Sequence, residues 1–532
     1  MLDREAHLTR VSDRREPFDV VVIGGGASGC GVAVDAASRG FSVLLVDAHD
    51  FGKGTSSRST KLIHGGVRYL AQGRIGLVRE ALRERAILRR NAPHLVSVLS
   101  IVVPATSYVE AGRLSVGLKL YDLLAGGEGF GPSRYLSRTR LYERLPQMVA
   151  GAMVGGIRYF DGQFDDARMI IALVRAAVDH GATVVNHCAV TGFIKEATGL
   201  IRGVRLRDAE RGEELEVSAR AVVNATGPFT DTVRRLDRPD APSLVTPSQG
   251  AHVVVPRAFL PGADALLIPR TPDGRIMFAI PWHDHVLLGT TDTPLDQVSP
   301  EPVPRADEVA MILEVAGRYL TRAPTGRDVR AVFAGIRPLA RASFSRGTAR
   351  VSRKHRIEVG PSGLVTITGG KWTTYRKMAE DCVDAVIRTY GLRSRPCQTA
   401  DLLLHGAPGG ALNGALGRAP VIDHLVSYGT DAEELRQLIR DRPELGQPLH
   451  PELPYVQAEC VWAARQEMAR TLGDVLARRL RALFLNARAA TAVAPRVARL
   501  LAEELGRDDR WQADQVASFR ELAANYTYQG AR

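Results

Sequence analysis

Residues 60–70, TKLIHGGVRYL, place three nitrogen-bearing side chains around a glycine pair in an otherwise apolar run. The side chains are those of Lys61, His64 and Arg68, and the glycines are Gly65 and Gly66. Lysine and arginine bind anions, an imidazole moves protons, and glycine lets a ligand approach the backbone. The segment is therefore a candidate site, and the neighbouring sequence has to indicate its ligand.

A glycine fingerprint precedes this segment. Gly24, Gly26 and Gly29 form G-x-G-x-x-G between the β-branched run 18–23 and a helical repeat of small apolar residues. These glycines suit a tight turn, a close approach to a pyrophosphate, and close helix–strand packing, respectively. Asp47 ends the next apolar run at the distance expected of a carboxylate that binds a ribose. The pattern predicts a dinucleotide-binding Rossmann unit.

Two further strand-to-glycine junctions favour FAD over NAD. One is Ala225-Thr226-Gly227 after RAVVN, and the other is the Gly-Gly pair that precedes Lys371. A nicotinamide enzyme would continue with another strand–helix unit after the acid, but here a polar loop, FGKGTSSRSTKLIHGG, follows. Three junctions so far apart in the chain indicate one large cofactor that several segments hold together.

The ordered set of motifs resembles the FAD-dependent, respiratory, quinone-linked glycerol-3-phosphate dehydrogenase family. The resemblance rests on VVIGGGASGCGVAVDAASRG, TSSRSTKLIHGGVRYL, FDGQFDDARM, VVNATGPF, GTTDTP, AGIRPL and GGKWTTYRK, which occur in the family's order. It covers roughly residues 17–490. Trp372, where the family often has leucine, and Gln249, where a basic residue is common, depart from the pattern.

The resemblance implies an α/β fold. It consists of a glutathione-reductase-like, FAD-binding Rossmann domain with a D-amino-acid-oxidase-like antiparallel β cap, plus a C-terminal α-helical domain. We expect the FAD domain to be discontinuous, comprising 17–95, 157–247 and 338–396. The cap would comprise 96–156 and 248–337, and the helical domain 397–532.

The resemblance also assigns site residues. The expected cofactor-binding residues are Gly24, Gly25, Gly26, Ser28, Gly29, Asp47, Thr55, Ser56, Ser57, Thr60, Lys61, His64, Gly65, Gly66, Ala225, Thr226, Gly227, Gly370 and Lys371. The expected substrate-binding residues are Arg68, Tyr69, Arg337 and Lys371. Arg337 and Lys371 are also expected to be catalytic, with His64 or His252 as the general base.

Some of these residues have structural alternatives. His64 could be a hydrogen-bonded structural histidine, Arg68 a surface ion-pair partner, and Tyr69 a core residue. His252 lies on an apolar strand, where core and substrate-facing positions are about equally common. Arg337 precedes a proline in an apolar stretch, so its charge needs a partner, and the family implies a phosphate dianion. No metal site is expected.

The expected reaction is oxidation of sn-glycerol 3-phosphate to dihydroxyacetone phosphate, with hydride transfer from C2 to flavin N5 and electron transfer to membrane quinone. The oxygen-using relatives carry an insertion of tens of residues, and none is apparent here. An oxidase that reduces oxygen to hydrogen peroxide is the nearer alternative. A non-catalytic FAD-binding module is a second, which would not need the cavity set of Arg68, Arg337 and Lys371.

Composition bears on partners and location. The 532 residues carry 70 Lys and Arg against 58 Asp and Glu, a net charge of +12, which favours anionic partners. Five cysteines without a CxxC pattern favour a reducing compartment. We find no signal peptide, no membrane-spanning run and no nucleic-acid-binding motif. A cytoplasmic protein peripherally attached to the inner face of the cell membrane is expected, and a homodimer is left open.

One C-terminal stretch offers a candidate lipid contact. In residues 463–486, apolar side chains follow a helical period and arginines are interleaved with them. The arginines are either the solvated face of a core-packing helix or a contact with acidic lipid.

Overall fold

The structure is a computed structural model of the chain. It describes residues 2–70, 72–149, 151, 153–269, 271, 274–341, 355–409 and 424–529, and within these only the backbone of Arg68. No helix in these ranges is both long enough and apolar enough to span a bilayer.

The described strands follow in chain order. They are β1 (Phe18–Ile23), β2 (Val43–Val46), β3 (Leu62–Ile63), β4 (Val96–Ala105), β5 (Arg134–Ser137), β6 (Gly155–Phe164), β7 (Thr183–Val185), β8 (Cys188–Lys195), β9 (Ile201–Asp208), β10 (Glu214–Asn224), β11 (Val245–Pro256), β12 (Ala265–Ile268), β13 (Met277–Trp282), β14 (His285–Gly289), β15 (Thr293–Pro294), β16 (Ala331–Ala340), β17 (His355–Val359) and β18 (Val365–Gly369).

The described α-helices follow in the same order. They are α1 (Arg4–Ser12), α2 (Ala27–Ser38), α3 (Val67–Leu70), α4 (Ile75–Asn91), α5 (Tyr108–Ala125), α6 (Arg138–Arg144), α7 (Asp166–Asp179), α8 (Thr230–Asp237), α9 (Ala306–Tyr319), α10 (Tyr375–Tyr390), α11 (Ala432–Asp441), α12 (Gln457–Gln466), α13 (Ala482–Leu485), α14 (Ala487–Leu505) and α15 (Asp509–Ala524).

The first sheet is the Rossmann core. Its order is β17-β18-β10-β1-β2-β7, parallel except for β17, and β8 and β9 extend it from β10 as an antiparallel meander. The strands β1 and β2 are almost entirely buried because helices α2, α7 and α10 cover one face, and α1 with the meander covers the other. Parallel strands end at the same edge, so the glycine junctions after β1, β10 and β18 come together there.

The second sheet is the cap. Its order is β15-β11-β14-β13-β12-β4-β6-β3, with β16 beside β11 and β5 beside β6, and only the β12–β4 pair is parallel. The predicted fold class is therefore confirmed. The strands cross the predicted domain borders, since β6 runs from 155 to 164 and β16 runs to 340, and β3 pairs with β6. The β6–β4 and β16–β11 pairings continue past residues 157 and 337, where the sequence analysis placed the borders.

The C-terminal stretch 463–486 differs from the expected single helix. Helix α12 ends at Gln466, a π-helical segment spans Asp474–Arg479, and Met468 and Arg481 adopt positive φ values of 56° and 62°. The apolar residues pack into the core as expected, but the arginines Arg478, Arg479 and Arg481 are only 1–5% exposed. These three form no solvated face, because buried carboxylates and carbonyl groups of the FAD domain bind them. Arg465 is exposed and pairs with Glu504, so a lipid contact of this stretch stays a prediction.

Candidate active site

The loop between β1 and α2 has the geometry that its glycines predict. Gly24 has φ of 107°, and a Cβ atom on Gly29 would lie 1.8 Å from the Gly24 carbonyl oxygen. Gly26 is the N-cap of α2 and brings no side-chain acceptor to the first N–H groups of the helix. The turn, the close packing and a helix N-terminus suited to an anion are thus all present.

Asp47 lies at the carboxyl end of β2, where the fingerprint places it. Its Oδ2 accepts a hydrogen bond from Gly25 N at 2.6 Å, and its Oδ1 accepts one from His49 N at 2.8 Å. Desolvation raises the pKa of the Asp47 carboxyl to about 6. The carboxylate is held in place by the loop and lines a cavity, so it can accept hydrogen bonds from ribose hydroxyls.

That cavity has a volume of about 380 Å³ and lies across the three glycine junctions. Of the residues predicted to bind the cofactor, the following line it: Gly24, Gly26, Ser28, Asp47, Thr55, Ser56, Ala225, Thr226, Gly227, Gly370 and Lys371. Ser56 also fixes the helix N-terminus, because its Oγ accepts a hydrogen bond from Ala27 N at 2.9 Å. All three junctions therefore contribute residues to one cavity.

A second cavity, of about 340 Å³, lies between the Rossmann edge and the cap. The predicted residues that line it are Thr55, Thr60, His64, Gly66, Tyr69, His252, Arg337, Gly370 and Lys371. Both cavities share Thr55, Pro338 and the segment 369–372. A ligand long enough to occupy the first cavity would reach the second at this junction.

Arg337 enters the second cavity from β16. Its guanidinium donates to Thr291 O at 2.9 Å, to Gln249 O at 3.2 Å and to Thr290 Oγ1 at 3.1 Å. It also forms an ion pair with Asp292 Oδ1 at 3.1 Å. These contacts orient the guanidinium, and its side chain is 27% exposed.

Sequence reasoning missed two neighbours of Arg337. Arg275 lines the cavity and pairs with the same carboxylate, Asp292. Two arginines on one aspartate leave a net positive charge at this wall of the cavity. The GTTDTP motif contains Asp292, but nothing in the sequence near Arg275 marks it as part of a site. Gln249, a departure from the family pattern, directs its amide to Glu308 in the cap instead of the cavity.

Lys371 follows β18 and two glycines that both have φ of 76°. Its Nζ lies 4.3 Å from the centre of the Tyr69 ring, a cation–π contact. A Cβ atom on Gly66 would lie 3.6 Å from the same Nζ. The GGVRY segment and the GGK segment therefore meet at the second cavity. Tyr69 is 4% exposed, so it packs in the core as well as lining the cavity.

His252, on β11, is buried at the wall of the second cavity. Its Nε2 lies 2.9 Å from Thr60 Oγ1, and its ring stacks on Phe333 at 4.8 Å between ring centres. Burial, with smaller contributions from Lys61 and Arg337, holds the pKa of His252 well below its usual value. The imidazole is therefore neutral at physiological pH, and one of its ring nitrogens can accept a hydrogen bond. His64 lines the same cavity.

Five predicted cofactor residues line neither cavity. Gly25 and Gly29 shape the loop, as described above. The Ser57 carbonyl oxygen accepts hydrogen bonds from Lys61 Nζ at 2.9 Å and from Arg481 at 2.6 Å. Gly65 N lies 3.0 Å from the hydroxyl oxygen of Tyr121 and 3.2 Å from Asp161 Oδ1.

Lys61 requires a correction. Its side chain is fully buried and forms an ion pair with Asp166 at 2.7 Å, so its ammonium group faces the core and not the cofactor cavity. We expected Lys61 to bind the cofactor because its neighbours in sequence do, but its backbone φ of 61° directs its side chain away from theirs. The side chain of Arg68 lies outside the described part of the chain.

The residues present fit FAD. The loop 24–29 leaves room only for hydrogen at Gly29, the helix N-terminus and Asp47 suit a pyrophosphate and a ribose, and the cavity continues to the Gly-Gly pair at 369–370. Trp372 closes the junction, since its Nε1 donates to Ser56 O at 2.8 Å. No group of carboxylates, histidines and cysteines at these cavities has the arrangement of a metal site among the described residues.

The fold and the site define an FAD-dependent oxidoreductase with a cap domain. The family described as FAD dependent oxidoreductase matches residues 19–376, and the C-terminal domain of alpha-glycerophosphate oxidase matches residues 397–512. The chain is 41% identical to the mitochondrial glycerol-3-phosphate dehydrogenase of Homo sapiens, over 98% of this chain and 75% of that protein. It belongs to the FAD-dependent glycerol-3-phosphate dehydrogenase family.

Other relatives agree. The Arabidopsis thaliana mitochondrial enzyme of the same name is 38% identical over 96% of this chain and 86% of its own length. The structure also superposes on the Bacillus halodurans glycerol-3-phosphate dehydrogenase complexed with FAD, with a TM-score of 0.79 and 29% identity. That match covers 99% of this chain and 98% of the other. The cofactor of this chain is FAD, and the chain is an enzyme.

Proposed function

We propose that the enzyme oxidises sn-glycerol 3-phosphate to dihydroxyacetone phosphate and passes the electrons to membrane quinone. The observation that carries this proposal is the cationic wall of the second cavity, where Arg337 and Arg275 share one carboxylate beside Lys371. A phosphate dianion needs several charge-assisted donors, and the planar arginine fork can bond two of its oxygens. Arg68, whose side chain is not described, is a further candidate ligand.

The other residues of the cavity suit alcohol oxidation. When bound, FAD supplies the two-electron acceptor that takes the hydride from C2 of the substrate. The C2 hydroxyl proton needs an acceptor within hydrogen-bond reach, and the imidazole of His252 or of His64 is our candidate for it. Lys371 lies next to the cavity junction, where its charge stabilises negative charge that develops on the substrate oxygen or on the cofactor.

The acceptor and the location belong to the same proposal. A net charge of +12 favours an acidic membrane surface, where quinone is also held. Five free cysteines suit a reducing, cytoplasmic compartment. We therefore propose peripheral attachment to the inner face of the cell membrane.

Oxidase activity is the second candidate, because the C-terminal domain matches that of alpha-glycerophosphate oxidase. Anaerobic stopped-flow mixing of the purified holoenzyme with glycerol 3-phosphate should bleach the flavin absorbance, whereas glycerol should bleach it much more slowly. A second mixing step with a short-chain quinone or with oxygen then identifies the acceptor. Faster reoxidation by oxygen would favour the oxidase, and no bleaching by glycerol 3-phosphate would overturn the substrate assignment.

A further inference from the structure

The peptide unit that joins His64 to Gly65 has both of its polar groups bonded to side chains. Its carbonyl oxygen, on His64, accepts a hydrogen bond from Thr373 Oγ1 at 3.2 Å. Its N–H group, on Gly65, lies 3.2 Å from Asp161 Oδ1 and 3.0 Å from the hydroxyl oxygen of Tyr121, and it donates to both. Because the two groups lie on opposite edges of one rigid plane, these bonds fix the orientation of the whole unit.

The carboxylate on the Gly65 side is buried and fully bonded. Asp161 lies on β6, and Arg85 of α4 donates to its Oδ1 at 2.6 Å. The hydroxyl group of Tyr121, on α5, donates to the same oxygen at 2.9 Å. The side chains of Asp161 and Arg85 are each 1% exposed. A buried ion pair is a weak source of net stability, but it keeps the carboxylate charged and in one position beside the Gly65 N–H group.

The threonine on the other side is also buried. Thr373 is 1% exposed and lies in the turn Trp372–Thr374, two positions after Lys371. Together with His64 and Asp161 it lines the second cavity. One peptide unit at this cavity is therefore held by two segments that are distant from it in the chain.

Packing leaves this unit little freedom. A Cβ atom on Gly65 would lie 2.4 Å from the Tyr121 hydroxyl oxygen and 2.5 Å from Leu82 Cδ2. Such distances are shorter than van der Waals contact, so only glycine fits between α4, α5 and the cavity. The backbone next to His64 is thus confined by packing as well as by hydrogen bonds.

We propose that Asp161, Tyr121 and Thr373 are positioning residues for substrate oxidation, because they fix the backbone that carries the His64 imidazole at the second cavity. The proposal rests on the proposed function, in which His64 is a candidate acceptor for the C2 hydroxyl proton. Proton transfer requires the acceptor within hydrogen-bond reach of that hydroxyl, and a misplacement of about 1 Å can cost two orders of magnitude in rate. The three residues act through the backbone of His64.

Two variants each remove one hydroxyl group and keep the shape of the side chain. They are Thr373→Val and Tyr121→Phe, studied as holoenzymes by anaerobic stopped-flow reduction of the flavin with saturating glycerol 3-phosphate. Thr373→Val should slow reduction roughly 10-fold, and Tyr121→Phe about threefold, since the Gly65 N–H group keeps Asp161. Thr373→Ser keeps the hydroxyl group and should recover most of the rate.

A binding measurement separates positioning from loss of the site. The affinity for dihydroxyacetone phosphate, from titration of the flavin absorbance, should stay close to that of wild type in both variants. Flavin content per chain should also stay at the wild-type value. The effect then falls on the rate of reduction and not on binding.

A double-mutant cycle tests whether Thr373 acts through His64. His64→Asn alone should slow reduction about 100-fold or more if the imidazole accepts the proton. Thr373→Val added to His64→Asn should slow it no further, because the group that the threonine positions is already gone. A purely structural role of Thr373 would instead give the same factor in both backgrounds.

The matched controls remove the same kinds of bond at residues that line neither cavity. Thr491→Val removes a hydroxyl group that donates to Ala487 O at 2.8 Å, and Tyr390→Phe removes one that donates to Gly363 O at 2.6 Å. Both controls should reduce at the wild-type rate.

The outcomes that overturn the proposal are distinct. Equal slowing by Thr373→Val with and without His64 would overturn the positioning role and leave the proposed function intact. Wild-type rates for both hydroxyl variants would do the same. A wild-type rate for His64→Asn would refute the role of His64 in the proposed function and this proposal with it, and a wild-type flavin that glycerol 3-phosphate does not reduce would overturn both.

Discussion

Replacing Arg337 by alanine tests the substrate site most directly. The guanidinium donates to Thr290, Thr291 and Gln249 and pairs with Asp292, and Asp292 keeps Arg275 when Arg337 is removed. The fold should therefore survive, and the loss should fall on the bound phosphate. Truncating one partner of a buried charge pair costs about 2–5 kcal/mol. Because the side chain is 27% exposed, solvent screening favours the lower part of that range.

A loss of about 2–3 kcal/mol corresponds to a decrease in kcat/KM of roughly 30- to 150-fold. The assay is steady-state turnover with a dye acceptor, for glycerol 3-phosphate and for glycerol, together with the flavin content per chain. Arg337→Lys should recover part of the loss, since lysine restores the charge but not the fork. Arg305→Ala, which removes an exposed arginine paired with Asp307, is the control. No loss for Arg337→Ala, or an equal loss for both substrates, would refute the phosphate assignment.

Three other perturbations probe the cofactor loop, the buried charges and the histidines. Gly29→Val should abolish FAD binding, since its Cβ would lie 1.8 Å from a backbone oxygen, and flavin absorbance per chain measures this. Asp50→Asn removes the carboxylate that the buried Arg478 and Arg479 share, although Arg478 keeps Asp474. It should lower the free energy of unfolding by about 3–5 kcal/mol in urea titrations. Acid should destabilise the holoenzyme as the pH falls from 6.5 towards 4, because burial lowers the pKa of four histidines to about 4 while the same residues in the unfolded chain take up protons from 6.5 downwards. Urea midpoints measured at each pH would show this. The histidines are His7, His49, His94 and His285.

Each of these has its control. Gly76→Val adds a side chain where a Cβ meets nothing within 4 Å, so it should keep full FAD occupancy. Glu196→Gln removes an exposed carboxylate paired with Arg202 and should leave stability unchanged. His285→Asn should flatten the pH dependence, and an unaltered slope would show that another group titrates. A yellow Gly29→Val protein or a fully stable Asp50→Asn protein would contradict the corresponding argument.

The Rossmann core could be predicted because its signals are local. Strand, glycine turn, helix and acid lie within about thirty residues, and parallel strands bring the later junctions to the same edge without further information. The predicted residues Gly24, Asp47, Ala225 and Gly370 accordingly line one cavity. The resemblance to a family added Arg337, Lys371 and His252, which strand geometry brings to the second cavity.

Features that depend on distant partners could not be predicted. Arg275 belongs to the site only because β-strand pairing in the cap brings it to Asp292. Lys61 does not reach the cofactor cavity because its positive φ directs its side chain to Asp166, more than a hundred residues later in the chain. The helical period of 463–486 suggested a solvated arginine face, but Asp50, Ser57 and Glu467 bind three of these arginines in the interior. The three are Arg478, Arg479 and Arg481. The sequence identifies these lysine and arginine residues as charged, but it does not show which distant residues they pair with in the fold.

These buried arginines give the C-terminal domain a role at the cofactor site. Asp50 lies three positions after Asp47, the carboxylate expected to bind ribose, and pairs with Arg479 at 2.6 Å. The carbonyl oxygen of Ser57, next to the cavity residue Ser56, accepts a hydrogen bond from Arg481 at 2.6 Å. The loop from Asp47 to Ser57 is thus bonded to the π-helical segment Asp474–Arg479 and to Arg481, which follows it. A buried ion pair contributes little net stability, but breaking it by removing one partner leaves an uncompensated buried charge, so the Asp50–Arg479 pair favours one arrangement of the two segments. The C-terminal domain therefore supports the loop at the FAD site, although none of the described residues of 397–532 lines the cofactor cavity.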